Sequence, residues 1–187
     1  ADWENPAIQS RECYEVAPRH GNPVIVMEPV KGGGLANLPE GARAYLDVLG
    51  SGSSAASYAI RYAASLEGVA AVLSGMSDLD QVRDNTAYMA DFKPLTALEY
   101  EAIEKVREYL SRSGEIACTN CRYCVDTCPK HIPIPNLFSL YNGVKQHGKA
   151  NFPAMLYERA TLGHGMAGDC IGCGACESHC PQHLSIR

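Results

Sequence analysis

The chain has 187 residues, room for one medium domain or two small ones. Hydrophobic residues make up 46% and charged residues 20%, a globular composition that argues against collagen, coiled coil and wholesale disorder. The formal net charge of -5 argues against a broad nucleic-acid footprint, and no apolar run reaches the ~18–20 residues of a membrane span.

The first 95 residues alternate helix and strand signals. Asn5-Pro6 fits an N-cap and first helical position. The helix it opens is expected to turn Ile8, Cys13 and Val16 inward and to stop between Pro18 and Gly21. Cys13, alone in that helix, is expected to be a buried structural thiol. Residues 23–27, Pro-Val-Ile-Val-Met, read as a strand buried on both faces. A glycine-rich loop, Lys31-Gly32-Gly33-Gly34, precedes a short helix over Glu40 to Leu49. Ser51 to Ser54 reads as a flexible joint before an alanine-rich helix reaching about Leu66. Val69 to Leu73 is a second buried strand, and Gly75-Met76-Ser77-Asp78 opens a helix capped by Ser77 or Asp78.

Strands and helices alternating at these lengths predict a parallel sheet. Two strands cannot bury both faces of such a sheet, so the segment calls for further strands or a partner. Thr96 and Glu99 fit a capping box. The helix behind it aligns Ala102, Ile103, Val106 and Leu110 on one face and ends at Ser113-Gly114. The boundary is read at that glycine: residues 1–114 form the α/β part and residues 115–187 a cysteine-rich part.

Eight of the nine cysteines fall after residue 117. Cys118, Cys121, Cys124 and Cys128 follow C-x2-C-x2-C-x3-C, with Pro129 next. Cys170, Cys173, Cys176 and Cys180 repeat the spacing 52 positions later, with Pro181 next. An iron–sulfur cube offers four corners, each needing one thiolate, and three cysteines within seven residues wrap three of them. In two-cluster ferredoxins the fourth cysteine of each run ligates the other cluster. On that rule Cys180 joins Cys118, Cys121 and Cys124, and Cys128 joins Cys170, Cys173 and Cys176. Each run closing on its own fourth cysteine is the alternative. Zinc, which favours two C-x2-C pairs, and disulfides fit this spacing less well. The clustering of thiols and the absence of a signal-peptide pattern in Ala1 to Pro6 point to the reducing cytoplasm.

The 41 residues between Cys128 and Cys170 are helical in pattern. Leu137, Leu140, Tyr141 and Val144 recur at helix spacing; Phe152-Pro153 starts a second helix that Gly163 ends. This part resembles an all-helical dicluster ferredoxin domain, like the iron–sulfur subunits of succinate dehydrogenases, which carry single electrons between partners. His131, His179 and His183, beside the last ligands, read as solvated turn residues or as groups that tune a cluster. Arg122 and Lys130 read as surface charges or as counter-charges to it.

The α/β part carries a second resemblance. Pro23 to Gly33 looks like the seventh strand and following loop of aldo/keto reductases, and Leu73 to Asn85 like the end of the eighth strand and the next helix. The whole chain resembles the C-terminal half of bacterial aldo/keto reductases that end in a ferredoxin-type extension. That implies a partial (β/α)8-barrel segment, its last strands and helices, followed by an α-helical dicluster domain. It also implies that Gly75, Met76, Ser77, Gln81, Asp84 and Asn85 contact NADP or NAD, with amides at the helix start attracting phosphate. Met27, Glu28, Pro29 and Lys31 would border the nicotinamide end. The family's catalytic aspartate, tyrosine, lysine and histidine lie on the first four strands, so the resemblance places no catalytic residue in this chain. Tyr58 and Tyr62 are expected to be helix-face packing residues.

The reading is an iron–sulfur oxidoreductase: the C-terminal part of an NAD(P)H-dependent enzyme of aldo/keto-reductase type, with two 4Fe–4S clusters for one-electron transfer. Its expected partner is the N-terminal barrel half or a redox protein. The alternatives are a stand-alone dicluster electron carrier and a structural iron–sulfur module.

Overall fold

Two β-branched runs, each fed by a helix, organise the first part of the chain. The computed structural model describes residues 3, 8–147 and 154–187, and the chain divides into two units, Ala1–Leu110 and Ser111–Arg187. In the first unit α1 spans Ser10–Arg19, β1 Val24–Met27, α2 Glu40–Asp47, α3 Ala55–Ala64, β2 Val69–Leu73 and α4 Leu79–Ala90, with α5, Ala97–Arg112, running across the boundary. The strands pair in parallel, Val26 opposite Val72 and Met27 opposite Leu73. α1 packs on β1, and α3 packs on β2 and α4.

Side chains cap three of these helices, α3, α4 and α5. The Ser54 hydroxyl accepts the Ser57 amide at 3.0 Å and so caps α3; the segment read as a flexible joint ends in a fixed cap. Asp78 caps α4, accepting the Gln81 amide at 2.8 Å. The capping box at α5 closes in both directions, Thr96 amide to Glu99 at 2.7 Å and Glu99 amide to Thr96 hydroxyl at 3.3 Å. Glu99 also takes the Arg61 guanidinium in a two-pronged bridge of 2.8 and 3.2 Å. This ties α3 to α5 with both side chains largely out of solvent.

The core of this unit gathers Ala42, Leu46, Ala55, Tyr58, Leu95, Ala102 and Val106, with Ile103 and Leu110 packed against it. Tyr58 is buried with its hydroxyl 2.7 Å from that of Ser51, and Tyr62 meets Tyr100 edge-on at 5.8 Å. Both are packing residues, as expected.

Two burial expectations are corrected. β1 alternates half-buried and exposed residues, leaving Ile25 59% and Met27 71% exposed, and Leu73 of β2 is 51% exposed. Among the described residues the sheet has two strands, so its second face has no cover. α1 buries no residue, and Cys13 is an exposed thiol; its apolar face meets too little surface to be covered. Asn5-Pro6, the expected start of α1, lies outside the described residues, as does Phe152-Pro153.

The second unit holds α6 (Tyr123–Asp126), α7 (Ile134–His147), α8 (Ala154–Thr161), a 3-10 turn (Ala167–Asp169) and α9 (Ala175–Ser178), and no strand among the described residues. α6 packs on α7 and α9, and α7 on α8. Cys124, Val125, Ile132, Ile134 and Cys176 form its core, with Leu137, Phe138 and Ile186 against it. The Asn142 carboxamide on α7 holds both backbone groups of Ile116 at 2.8 Å and so fixes the approach to the first cysteine run. Among the described residues no helix is long and apolar enough to cross a membrane.

Candidate metal centre

The repeat seen in sequence is also a repeat of backbone. Each cysteine run is a loop ending in a one-turn helix, α6 or α9. Asn120 and Arg122 take left-handed conformations at φ 56° and 69°, and Gly172 and Gly174, 52 positions on, do the same at 68° and 76°. His131 and His183 match at φ 50° and 49°. Hydrogen bonds repeat too: Cys128 amide to Val125 carbonyl and His131 amide to Cys128 carbonyl recur as Cys180 to Glu177 and His183 to Cys180. Left-handed residues alternating along a loop turn successive amides inward, an arrangement suited to anionic sulfur. At the first loop the Asn120 amide donates to Cys118 Sγ at 3.4 Å.

The side chains of the two runs interleave. Cys118, Cys121 and Cys124 line one cavity with Cys180. Cys170, Cys173 and Cys176 line another with Cys128. The fourth cysteine of each run therefore faces the other run's first three. Phe138 and Ile186 line both cavities, so the two sites share an apolar wall. None of the nine cysteines is in a disulfide.

The electrostatics of the thiols follow from this crowding. Burial pushes the Cys124 thiol up to about 11, and neighbouring Cys118, Cys121 and Cys180 add to the rise. Burial also raises Cys118, with Cys121 and Cys180 adding to it and the Asn120 amide opposing. Cys176 is raised by burial, with Cys170 contributing. Thiols crowded at one cavity, with Cys124 buried and Cys118, Cys121 and Cys180 half-buried, form a donor set for a strongly positive partner, which deprotonates coordinating thiols outright. Among the described residues no three metal-ligating side chains converge on a single ion.

Two features of these cavities were not anticipated. Thr119, beside Cys118, lines the first cavity, and its hydroxyl is buried without a hydrogen-bond partner among the described residues. At the second, Arg187 donates to the Gly172 carbonyl at 3.0 Å and to Glu177 at 3.0 Å. Glu177 in turn accepts the amides of Ile186 and Arg187; these amide bonds, with the Arg187 side chain, hold its carboxyl down at about 2. Position 119 offers no sequence signal beyond its place next to Cys118. The Glu177–Arg187 clasp joins residues ten apart and is visible only in the fold. Arg122 lines the first cavity and Lys130 the second, whereas His131, His179 and His183 are exposed. His179 bonds the Ala175 carbonyl and Ser178.

The nucleotide candidates lie in the first unit at the end of β2 and the start of α4. Gly75, Met76, Ser77 and Gln81 form an exposed turn. The Gln81 carboxamide oxygen accepts the Ser77 amide at 2.8 Å and its hydroxyl at 3.3 Å. Asp84 accepts the Ser54 hydroxyl at 2.6 Å. Asn85 donates to Ser74 at 3.1 Å and accepts from the Tyr88 hydroxyl at 2.6 Å. Ser77 and Gln81 thus face solvent, while Asp84 ties α4 to the cap of α3 and Asn85 ties it to Ser74 at the end of β2.

The family model of the aldo/keto reductase family matches residues 3–108, and that of a 4Fe-4S dicluster domain matches residues 117–184. No curated protein and no solved structure gives a match. The second match covers both cysteine runs and identifies this part as a 4Fe–4S domain, consistent with a thiol set that fits iron–sulfur ligation. The first covers more than half of the chain: it belongs to the aldo/keto reductase family, with a 4Fe–4S dicluster domain following the part that family accounts for.

Proposed function

We propose that this chain is the C-terminal part of an NAD(P)H-dependent iron–sulfur oxidoreductase and holds two 4Fe–4S clusters with exchanged fourth ligands. One observation carries the proposal: Cys180 lines the cavity of Cys118, Cys121 and Cys124, and Cys128 that of Cys170, Cys173 and Cys176. Each cluster, when bound, supplies storage for one electron at a time. The chain supplies the rest. The loop amides offset the negative charge of the sulfurs. Arg122 lies at the first site and Lys130 and Arg187 at the second, where cations favour an added electron. Phe138 and Ile186, common to both cavities, keep the space between the sites apolar.

In the first unit, Gly75, Met76, Ser77 and Gln81 would meet the adenosine end of NADP or NAD, and Asp84 and Asn85 would support the turn. The Ser77 amide is the phosphate donor, and the Gln81 side chain has to leave it first. Exposed Ile25, Met27 and Leu73 support a partner that supplies further strands, the N-terminal half of a barrel. Hydride chemistry and its proton donor belong to that half, and we assign no catalytic residue here. The free thiols suit the cytoplasm.

The test is iron and acid-labile sulfide analysis of the anaerobically prepared chain. About eight of each are expected; two zinc ions without sulfide would overturn the proposal. A second reading, an electron carrier that binds no nucleotide, is favoured by Gln81 already occupying the Ser77 amide. NADPH titration of the chain, followed by protein fluorescence, separates the two.

A further inference from the structure

Five threonines occur in the chain, and four of their hydroxyls have a partner within the protein. Thr86 donates to the Val82 carbonyl, Thr96 to Glu99, Thr127 to the Tyr123 carbonyl and Thr161 to the Tyr157 carbonyl. Thr119 is the exception: its hydroxyl is buried and has no partner among the described residues. A buried hydroxyl left unpaired is costly and rare in native proteins. Its surroundings name the missing acceptor. Thr119 follows Cys118 and lines the same cavity as Cys118, Cys121, Cys124 and Cys180, so the acceptors the site lacks are the sulfurs of whatever those thiols bind.

The internal repeat supplies a control. The residue 52 positions on is Ile171, which has no hydroxyl and is 61% exposed. The two sites share backbone, ligand spacing and flanking proline, and differ in this group.

We propose that the Thr119 hydroxyl donates a hydrogen bond to a sulfur of the first cluster and raises that cluster's reduction potential above the value the same loop would otherwise give. The inference rests on the two-cluster reading above. Hydrogen bonds to cluster sulfurs are one of the protein's means of setting potential. A one-electron donor adds a single electron to the site and no proton moves; the hydroxyl keeps its hydrogen throughout. The sulfurs carry more negative charge after reduction, so the bond is stronger in the reduced state and favours it. Thr119 is a positioning and tuning residue and takes no part in bond making.

The experiment is an anaerobic redox titration of the full chain, followed by electron paramagnetic resonance, in wild type, Thr119→Val and Thr119→Ser. Valine keeps the shape and removes the hydroxyl; serine keeps the hydroxyl. One of the two midpoint potentials is expected to fall in Thr119→Val, with the reduction equilibrium about tenfold less favourable, equivalent to about 59 mV for one electron. The other midpoint stays in place, and Thr119→Ser restores the first. Both midpoints unchanged, or both moved equally, would overturn the proposal. Where the valine variant does not retain its clusters, Thr119→Ala against Thr119→Ser makes the same comparison and is read the same way. A wild type without any 4Fe–4S signal refutes the two-cluster reading itself, a result distinct from unmoved midpoints.

Discussion

Gly165 lies between α8 and the 3-10 turn, where its amide reaches the His131 carbonyl at 3.4 Å. A Cβ at this position would overlap the Lys130 carbonyl oxygen and stand 3.2 Å from the Ile132 side chain. The obstruction is backbone on one side and a buried residue, Ile132, on the other, so neither side yields cheaply. Overpacking costs about 1–3 kcal/mol, and a backbone wall puts Gly165→Ala near the upper end. At ~1.4 kcal/mol per decade that is about a hundredfold rise in the opened form. The segment pushed apart begins two residues after Cys128, and Cys170 follows five residues after Gly165. The second site therefore loses its alignment first. Gly168→Ala is the control, since a Cβ there meets nothing within 4 Å. Iron analysis with thermal bleaching of the visible absorbance is the assay. We expect Gly165→Ala to fall from about eight irons toward about four and to bleach at lower temperature, with Gly168→Ala unchanged. Full iron content and a wild-type bleaching temperature in Gly165→Ala would refute the reasoning.

Arg122 holds a left-handed conformation at φ 69°, which costs a residue with a Cβ roughly 1–2 kcal/mol. Arg122→Gly should raise the bleaching temperature by several degrees, about 4–8 °C per kcal/mol for a unit of this size; a fall would mean that the guanidinium charge outweighs the strain. Burial raises the Glu99 carboxyl, but hydrogen bonds from Arg61 and Thr96 outweigh it and hold the group below its ordinary 4.5. A depressed folded-state pKa stabilises above the unfolded value and is lost as pH falls through the folded one. Hydrogen-exchange protection of α3 and α5 should therefore drop on acidification below about pH 4.5, and Glu99→Gln should remove that component. Equal acid sensitivity in the variant would contradict this assignment.

What was legible in the sequence was local or repeated. The box at Thr96 and Glu99, the cap at Asp78 and the two parallel strands follow from signals within a few residues. The cysteine repeat pointed to a 4Fe–4S domain, which the family match over residues 117–184 bears out. Burial was misjudged where it depends on what covers a surface: Ile25, Met27 and Cys13 are exposed although their runs read as core. The Arg61–Glu99 bridge spans 38 positions and leaves no mark in sequence. Ser54 went unrecognised as a cap because it ends a run of serines and glycine that fits a loop equally well. The left-handed turn at Arg122 is hidden by a residue that rarely adopts it, whereas Asn120 and, at the matching places, Gly172 and Gly174 are residues that favour it. Thr119 carries no signal in sequence, because a single hydroxyl beside Cys118 is informative only once its burial and its lack of a partner among the described residues are known.

The central claim is that the two runs exchange their fourth cysteines. Diffraction from the anaerobically prepared holoprotein, with anomalous data at the iron edge, tests it without variants. The account predicts two iron–sulfur cubes, one bonded to the sulfurs of Cys118, Cys121, Cys124 and Cys180 and the other to those of Cys170, Cys173, Cys176 and Cys128. Cys180 bonded to the same cube as Cys170, Cys173 and Cys176, or single metal ions in place of cubes, would contradict it.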